Sequence, residues 1–121
     1  MPEKDWWPRN EMWDKHFFGN SAGNASPDKY FSTVEFNYGK AKGIEDFCRK
    51  AQLVNVEVNK AMYEGFQHHI WEEASGILTW MGQSAYPSLV WQTYDYYYDL
   101  TGAYWGIRKA CEPVHIQWSY A

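Results

Sequence analysis

The sequence is poor in several features that would define a class of protein at once. Its 121 residues include only two cysteines, Cys48 and Cys111, which are too few for a disulfide framework or a zinc site on their own. Mean hydropathy is −0.65, and no apolar run approaches the roughly 20 residues of a membrane-spanning helix. The amino terminus, MPEKDWWPRN, lacks an apolar core, so we expect no secretory signal in this chain and no membrane partner.

Positive charge is also scarce. Eleven lysines and arginines stand against fifteen aspartates and glutamates, which gives a net charge of −4, and the basic residues do not cluster. Nucleic-acid binding through phosphate contacts is therefore not expected. The length and the hydrophobic share of 45% are otherwise those of one packed domain.

Aromatic residues, by contrast, are abundant. Eight tryptophans, ten tyrosines and six phenylalanines make up 20% of the chain. A chain this small cannot easily bury all of them, and clustered exposed rings usually mark an interface or a ligand platform. Sugars are one class of ligand that stacks on such rings, so a sugar-binding surface is a first hypothesis.

The clearest predicted element is a long amphipathic helix over about residues 44–70. Its apolar residues recur at steps of three and four, while charged residues occupy the other faces. The same spacing predicts a short helix over about 10–18 and another over 103–111, which Pro113 stops. Residues 29–43 are ambiguous between a helical turn and a loop.

Two further segments have the patterns of strands. The apolar run 77–81, bounded by glycines, predicts a strand buried on both faces, as in a parallel sheet. Residues 114–120 alternate in the manner of a half-exposed strand. A buried strand needs neighbours that satisfy its backbone groups, and this chain offers none that is convincing. We therefore expect an upstream part of a longer protein to supply the sheet.

The carboxy-terminal part of the chain resembles glycoside hydrolase family 2. The resemblance is carried, in the family's order and spacing, by RKAQLVNVEVNKAMYEGF, SGILTWMGQSAYPSLVWQTYDYYYD and GAYWGIRKACEPVHIQWSY. The branch it looks most like contains the exo-β-D-glucosaminidases and endo-β-mannosidases. The opening WWPRNEMWDKHFFGN is similar to the segment that follows the seventh barrel strand, although less specifically.

The resemblance implies an α/β fold, because the family's catalytic domain is a (β/α)8 barrel that hydrolyses β-glycosides with retention of configuration. Residues 1–112 would be a carboxy-terminal fragment of that barrel, mostly helical as an isolated chain, and 113–121 the start of the next β-sandwich domain. By the same likeness, 44–70 would be the helix before the last strand, 77–81 the eighth strand and 103–111 the closing helix.

The resemblance also implies that this chain has no catalytic residue of its own. The family's two catalytic glutamates end strands four and seven, which lie upstream of this chain, and Glu3 and Glu11 do not match the motif. Retaining hydrolysis needs two carboxyl groups about 5–5.5 Å apart. We therefore expect an inactive chain without a cofactor, cut from a parent enzyme that binds a β-linked saccharide. Which sugar it binds stays open, and so does the compartment, although the parent could be secreted or periplasmic.

Trp80 is the favoured binding residue. It ends the predicted strand just before the loop 82–88, and barrel enzymes gather functional groups at the carboxyl ends of their strands. By the resemblance, its flat ring would form a wall of the sugar pocket; the alternative is a tryptophan of the core. Gln83 and Tyr86 follow in the loop, where the family more usually has Asn and Trp, which leaves the hydrogen-bonding role and the sugar open.

Other polar residues have plainer interpretations. Asp95 could be a general acid if it were buried among rings, but a structural hydrogen-bond acceptor is the better interpretation. The tyrosines 96–98 are interpreted as packing residues rather than a platform. His68 and His69 are neighbours on a helix and cannot readily share one metal ion, and His115 is interpreted as structural.

A second hypothesis is a free-standing carbohydrate-binding or protein-interaction module. Such a module would keep the aromatic surface and need no catalytic acids, and the composition suits it. The unpaired strand over 77–81 argues against it. For the fragment, we expect self-association through that exposed strand edge.

Overall fold

The computed structural model describes residues 1–16, 26–89 and 92–118. Within these ranges β-structure is limited to isolated bridges, so the prediction of a mostly helical chain is confirmed. None of the described helices combines the length and apolar character that crossing a lipid bilayer requires. The described residues form a 3-10 turn over Glu3–Asp5 and then four α-helices: α1 (Glu11–Lys15), α2 (Pro27–Tyr38), α3 (Ile44–His68) and α4 (Gly102–Ala110).

Helix α2 occupies most of the region that the sequence left ambiguous. The Ser26 hydroxyl accepts a hydrogen bond from the Lys29 amide at 3.2 Å, and Pro27 lies in the first turn, both typical of a helix start. Gly39, with φ of 74°, ends the helix in the left-handed region. Val34 is its one buried residue, which explains why the apolar periodicity was too weak to predict it.

Helix α3 confirms the strongest prediction, ending two residues before position 70. Glu45 and Asp46 lie in its first turn, where carboxylates interact favourably with the helix dipole. Ion pairs four residues apart also stabilise the helix; they join Glu45 to Arg49, Asp46 to Lys50 and Lys60 to Glu64. The predicted helix over 10–18 is shorter, since α1 ends at Lys15 and residues 17 and 18 lie outside the described ranges.

The hydrophobic core gathers where the amino-terminal segment and α2 pack against the first half of α3. Phe31 and Phe47 stack with ring centroids 4.4 Å apart and an interplanar angle of 15°. Trp13 meets Phe47 edge-on at 5.7 Å and donates its indole N–H to the Trp6 carbonyl. Val34 is fully buried beside these rings. Aromatic packing therefore accounts for part of the unusual composition.

Helices α3 and α4 run parallel, in close contact. Gly102 lies against the backbone of Gln52, and Gly106 lies against the backbone of Val56. The numbers rise by four on both helices, so the two chains point the same way. The Gln52 side chain also accepts a hydrogen bond from the Gly102 amide at 2.5 Å. The helix predicted over 103–111 is thereby confirmed within one residue at each end.

The segment between the two helices returns along α3. Ile77 lines a small cleft with Tyr63, Phe66 and Ile70, and Thr79 hydrogen-bonds the Tyr63 hydroxyl. At the far end of the segment, Gly102 lies against Gln52. As residue numbers rise along the segment, the α3 residues beside it have falling numbers. The run 77–81 is therefore antiparallel to both helices.

Among the described residues neither predicted strand forms, and the α/β barrel of a longer protein stays a prediction. In the run 77–81, Leu78 is fully exposed. Val114 and Ile116 are also exposed, and residues 119 and 120 lie outside the described ranges. A helix satisfies its backbone groups internally, whereas a strand needs a neighbour, and the described part of the chain supplies none. The division into 1–112 and 113–121 stays a prediction.

Candidate functional site

Trp80 lies on the surface of this chain. The residue is 81% exposed and precedes Met81, whose φ of 64° turns the backbone sharply after the run 77–81. Tyr86, in the following loop, is about half exposed. Both rings have the accessibility that stacking on a sugar requires, and their contact with a sugar stays a prediction.

The loop 82–88 is anchored by hydrogen bonds. Ser84 is buried, and its hydroxyl pairs with that of Ser88 at 2.8 Å. Just after the loop, the Leu89 amide donates to the His16 carbonyl at 2.8 Å. These bonds attach the loop to the end of α1, so the segment that follows Trp80 has a defined position.

Gln83 joins this loop to a second one. Its side-chain amide donates to the carbonyl of Asp95 at 3.4 Å and to that of Tyr96 at 3.3 Å. Beside it, the Gly82 carbonyl accepts the Tyr94 amide at 2.8 Å. Gln83 thus braces the loop 95–99, a structural role that the sequence did not reveal. A direct bond from Gln83 to a sugar stays a prediction.

Asp95 organises the second loop. One carboxylate oxygen accepts the backbone amides of Tyr97 at 2.8 Å and of Asp99 at 2.9 Å. The Asp95 amide in turn donates to the Asp99 carbonyl at 3.0 Å. This is the turn-closing geometry that Asp favours. The prediction of a structural hydrogen-bond acceptor is confirmed.

The three tyrosines of this loop do not pack in the core of the chain. Tyr96 is 40% exposed, Tyr97 69% and Tyr98 75%. Within this chain these rings are exposed rather than buried, and their packing in a longer protein stays a prediction. The two flanking aspartates are a turn signal in the sequence, because Asp closes such loops through its carboxylate. That signal could have placed the tyrosines on a loop tip.

Glu64 holds the carboxy-terminal segment against α3. Its carboxylate accepts Lys60 at 2.5 Å and the ring of His115 at 2.6 Å, and its carbonyl accepts the Gln117 side chain at 3.1 Å. The hydrogen bond from Lys60 is the largest cause that lowers the pKa of Glu64, and the bond from His115 lowers it further. The structural interpretation of His115 is confirmed, although nothing in the sequence pointed to Glu64 as its partner.

Residues suited to metal binding or nucleophilic catalysis are dispersed. In the described ranges, no three His, Cys, Asp or Glu side chains come together in a way that could hold a metal ion. His69 instead lies 3.6 Å from Glu73. Cys48 and Cys111 are both unbridged, and partial burial raises the pKa of the Cys48 thiol, which makes it a weaker nucleophile.

Comparison with known proteins identifies the class to which this arrangement of helices and loops is related. The chain is homologous to a short region of glycoside hydrolase family 2 enzymes, namely exo-β-D-glucosaminidases and a β-mannosidase. No family model matches the chain. The resemblance inferred from the sequence is thus confirmed.

Two curated relatives illustrate the match. The mannosylglycoprotein endo-β-mannosidase of Lilium longiflorum is 35% identical over 112 residues, which cover 93% of this chain and 11% of that enzyme. The exo-β-D-glucosaminidase of Amycolatopsis orientalis is 41% identical over 86 residues, which cover 69% of this chain and 8% of that enzyme. The chain therefore spans about a tenth of the length of the curated relatives it matches.

The solved structures agree with the sequence matches. The crystal structure of the exo-chitosanase CsxA of Amycolatopsis orientalis superposes with a TM-score of 0.78 at 30% identity, covering 99% of this chain and 15% of that one. A complex of a variant of the same enzyme with PNP-β-D-glucosamine gives a TM-score of 0.77 at 30% identity, covering 98% and 14%. Almost the whole described fold thus recurs inside a larger enzyme.

Proposed function

We propose that this chain forms the carboxy-terminal part of the (β/α)8 barrel of a retaining β-glycosidase, where Trp80 lines the sugar-binding pocket. The observation that carries the proposal is the antiparallel course of 77–81 between the parallel helices α3 and α4. In a (β/α)8 barrel every strand is followed by a helix that runs back along it, so successive helices are parallel. An apolar, exposed run in the strand's place is what a barrel strand without its neighbours would look like.

The pocket residues follow from this placement. Trp80 comes at the carboxyl end of 77–81, the end at which barrel enzymes bind substrate. Its open ring offers a flat apolar face to a pyranose, while Tyr86 adds a second half-exposed ring. Gln83 holds the neighbouring loop in position.

The substrate of the parent enzyme is proposed to be a β-linked saccharide. A complex with PNP-β-D-glucosamine is known for the similar enzyme of Amycolatopsis orientalis, which favours a glucosaminide. Both catalytic glutamates would be supplied by the part of the parent that precedes this chain. The isolated chain is accordingly expected to show no hydrolysis.

A chimeric enzyme tests this proposal. The region of the Amycolatopsis orientalis exo-chitosanase that superposes on this chain is replaced by the chain itself, and hydrolysis of PNP-β-D-glucosamine is measured. We expect a folded, active chimera. A chimera that folds, as judged by circular dichroism and gel filtration, but hydrolyses nothing would contradict the proposal.

The alternative of a free-standing binding module is favoured by one observation. Several large aromatic side chains are strongly exposed, among them Trp71 at 82% and Trp80 at 81%. A titration of the isolated chain with β-linked disaccharides separates the two functions. The fragment is expected to bind none of them measurably, because most of its pocket is missing, whereas a complete module would give a saturable isotherm.

A further inference from the structure

Ser84 is the only polar or charged residue that is buried in the described part of the chain, with 6% of its surface exposed. The three residues that follow it, 85–87, are exposed, so the loop 82–88 turns this one small hydroxyl inward. A buried hydroxyl costs free energy unless it is hydrogen-bonded. The Ser84 hydroxyl bonds the Ser88 hydroxyl at 2.8 Å and also the side-chain oxygen of Gln92.

The two bonds of Ser84 have a fixed direction. A hydroxyl carries a single hydrogen, and the amide oxygen of Gln92 can only accept. Ser84 therefore donates to Gln92 and accepts the hydrogen of Ser88. Both capacities of the hydroxyl are used, so Ser84 holds two separate parts of the chain in place at once.

Gln92 extends this connection to the paired helices. Its backbone carbonyl accepts the Thr101 hydroxyl at 2.8 Å. Thr101 immediately precedes α4, whose first amide, that of Gly102, donates to the Gln52 side chain on α3 at 2.5 Å. The base of the loop 82–88 is thus fixed relative to the contact between α3 and α4.

We propose that Ser84 is a positioning residue for the sugar site and acts through Tyr86. Ser84 and Ser88 lie two residues before and two residues after Tyr86, so the bond between their hydroxyls closes the base of the loop that presents this ring. Pro87 favours an extended backbone at Tyr86, so the direction of the ring depends on how that base is held. The Tyr86 ring is about half exposed and therefore open to a ligand.

This inference rests on the proposed function, because it requires Tyr86 to face a sugar. Without the Ser84 hydroxyl, the side chains of Ser88 and Gln92 would lose their shared partner, and the loop would sample other positions. A binding sugar would then have to restore the position of Tyr86, which costs affinity. Ser84 itself does not contact the reacting atoms, so its loss should raise KM and leave kcat nearly unchanged.

The test measures KM and kcat of the chimeric enzyme for PNP-β-D-glucosamine. Ser84→Ala, Tyr86→Ala and the double variant form a mutant cycle. Ser88→Ala breaks the same bond from a less buried partner and carries the test where Ser84→Ala does not fold. Ser32→Ala is the matched control, since it also removes a bonded serine hydroxyl, but on α2. Circular dichroism and gel filtration establish that each variant is folded.

Tyr86→Ala should raise KM by about fivefold or more, and Ser84→Ala and Ser88→Ala by about threefold, with kcat changed by less than about twofold. In the Tyr86→Ala background, Ser84→Ala should change KM by less than about 1.5-fold, because the ring it positions is already gone. Ser32→Ala should leave both constants unchanged.

Three results would overturn the proposal. One is an unchanged KM in both Ser84→Ala and Ser88→Ala. Another is a rise in KM on loss of Ser84 that is equally large with and without the Tyr86 ring, which would indicate a merely structural role. The third is an equal rise in Ser32→Ala.

The two proposals can be told apart when they fail. An active chimera in which loss of Ser84 has no effect, or has the same effect without Tyr86, rejects the positioning role alone. A chimera that folds but hydrolyses nothing rejects the glycosidase assignment, and the positioning role falls with it.

Discussion

Gly106 lies so close to α3 that a Cβ atom built on it would be 2.3 Å from the carbonyl oxygen of Val56. No real Cβ tolerates such a contact with a backbone atom. Gly102, one turn earlier, has the same relationship to Gln52 at 2.2 Å. Small residues four apart let two helix backbones approach closely, and Ala110 continues this buried face. The parallel pairing of α3 and α4 therefore depends on the absence of side chains at these positions.

Replacing Gly106 by alanine should destabilise the chain by about 1–3 kcal/mol, because the helices must separate to admit the methyl group. Gly65→Ala is the control: it lies in α3 with nothing within 4 Å of an added Cβ, so it should stabilise by about 0.5–1 kcal/mol. The free energy of unfolding is measured by urea titration followed at 222 nm. A stable Gly106→Ala variant would contradict the observed helix packing.

The hydrogen bonds that Glu64 accepts from Lys60 and, to a smaller extent, from His115 predict a pH dependence. The pKa of Glu64 is lowered in the folded chain, so its stabilisation is present above the unfolded pKa and is lost as pH falls through the folded pKa. Glu64→Gln should cost about 1 kcal/mol at pH 7, and this difference should shrink toward zero below about pH 4. Urea unfolding of both proteins between pH 3 and pH 7 measures it. A difference that stays constant over this range would show that the carboxylate charge contributes nothing.

The exposed apolar run 77–81 predicts self-association of the isolated chain. Leu78 is fully exposed, so Leu78→Lys should leave the fold intact while placing a charge where strands would pair. Sedimentation velocity over a range of concentrations should show an associating wild type and a more monomeric variant. Phe36→Lys is the control, because Phe36 is also strongly exposed but lies on α2. An equal effect of both substitutions would indicate non-specific association.

Trp80 and Trp71 form a matched pair for testing the sugar site. They are 81% and 82% exposed, so alanine at either position should change the stability of the isolated chain by less than about 0.5 kcal/mol. In the chimeric enzyme, Trp80→Ala should lower kcat/KM for PNP-β-D-glucosamine by about tenfold or more, because a stacking face is lost. Trp71→Ala should leave it near the chimera's own value. Equal losses of kcat/KM in the two variants would show that Trp80 is not part of the sugar site.

Helix α3 was predictable from the sequence because its signal is local and long. Apolar residues repeat through seven turns of helix, and ion pairs at the same spacing add to the pattern. The pattern of apolar residues did not predict helix α2, because its apolar face is narrow. The clearest sequence signals of this helix are its end residues, Ser26 and Gly39. The strand over 77–81 has a strong local pattern but requires partners, which the described part of the chain does not contain.

For the candidate site, the sequence suggests which residue to test but not the contacts around it. The family resemblance pointed to Trp80, and the structure leaves its ring accessible. The bracing of loop 95–99 by Gln83 and the pairing of Glu64 with His115 could not be predicted. The partners in these contacts are 12 to 51 positions apart in the sequence. A local periodic pattern does not indicate which distant segments meet in the fold.

The mass of the native protein tests the central claim most directly. An antibody raised against this chain is used on an extract of the source cells, and the protein it detects is sized by denaturing electrophoresis and identified by mass spectrometry. We predict a band several times larger than 14.3 kDa, with peptides of an upstream barrel that carries two glutamates. A single band near the mass of this chain would contradict the assignment to a larger glycosidase and leave the free-standing module as the better function.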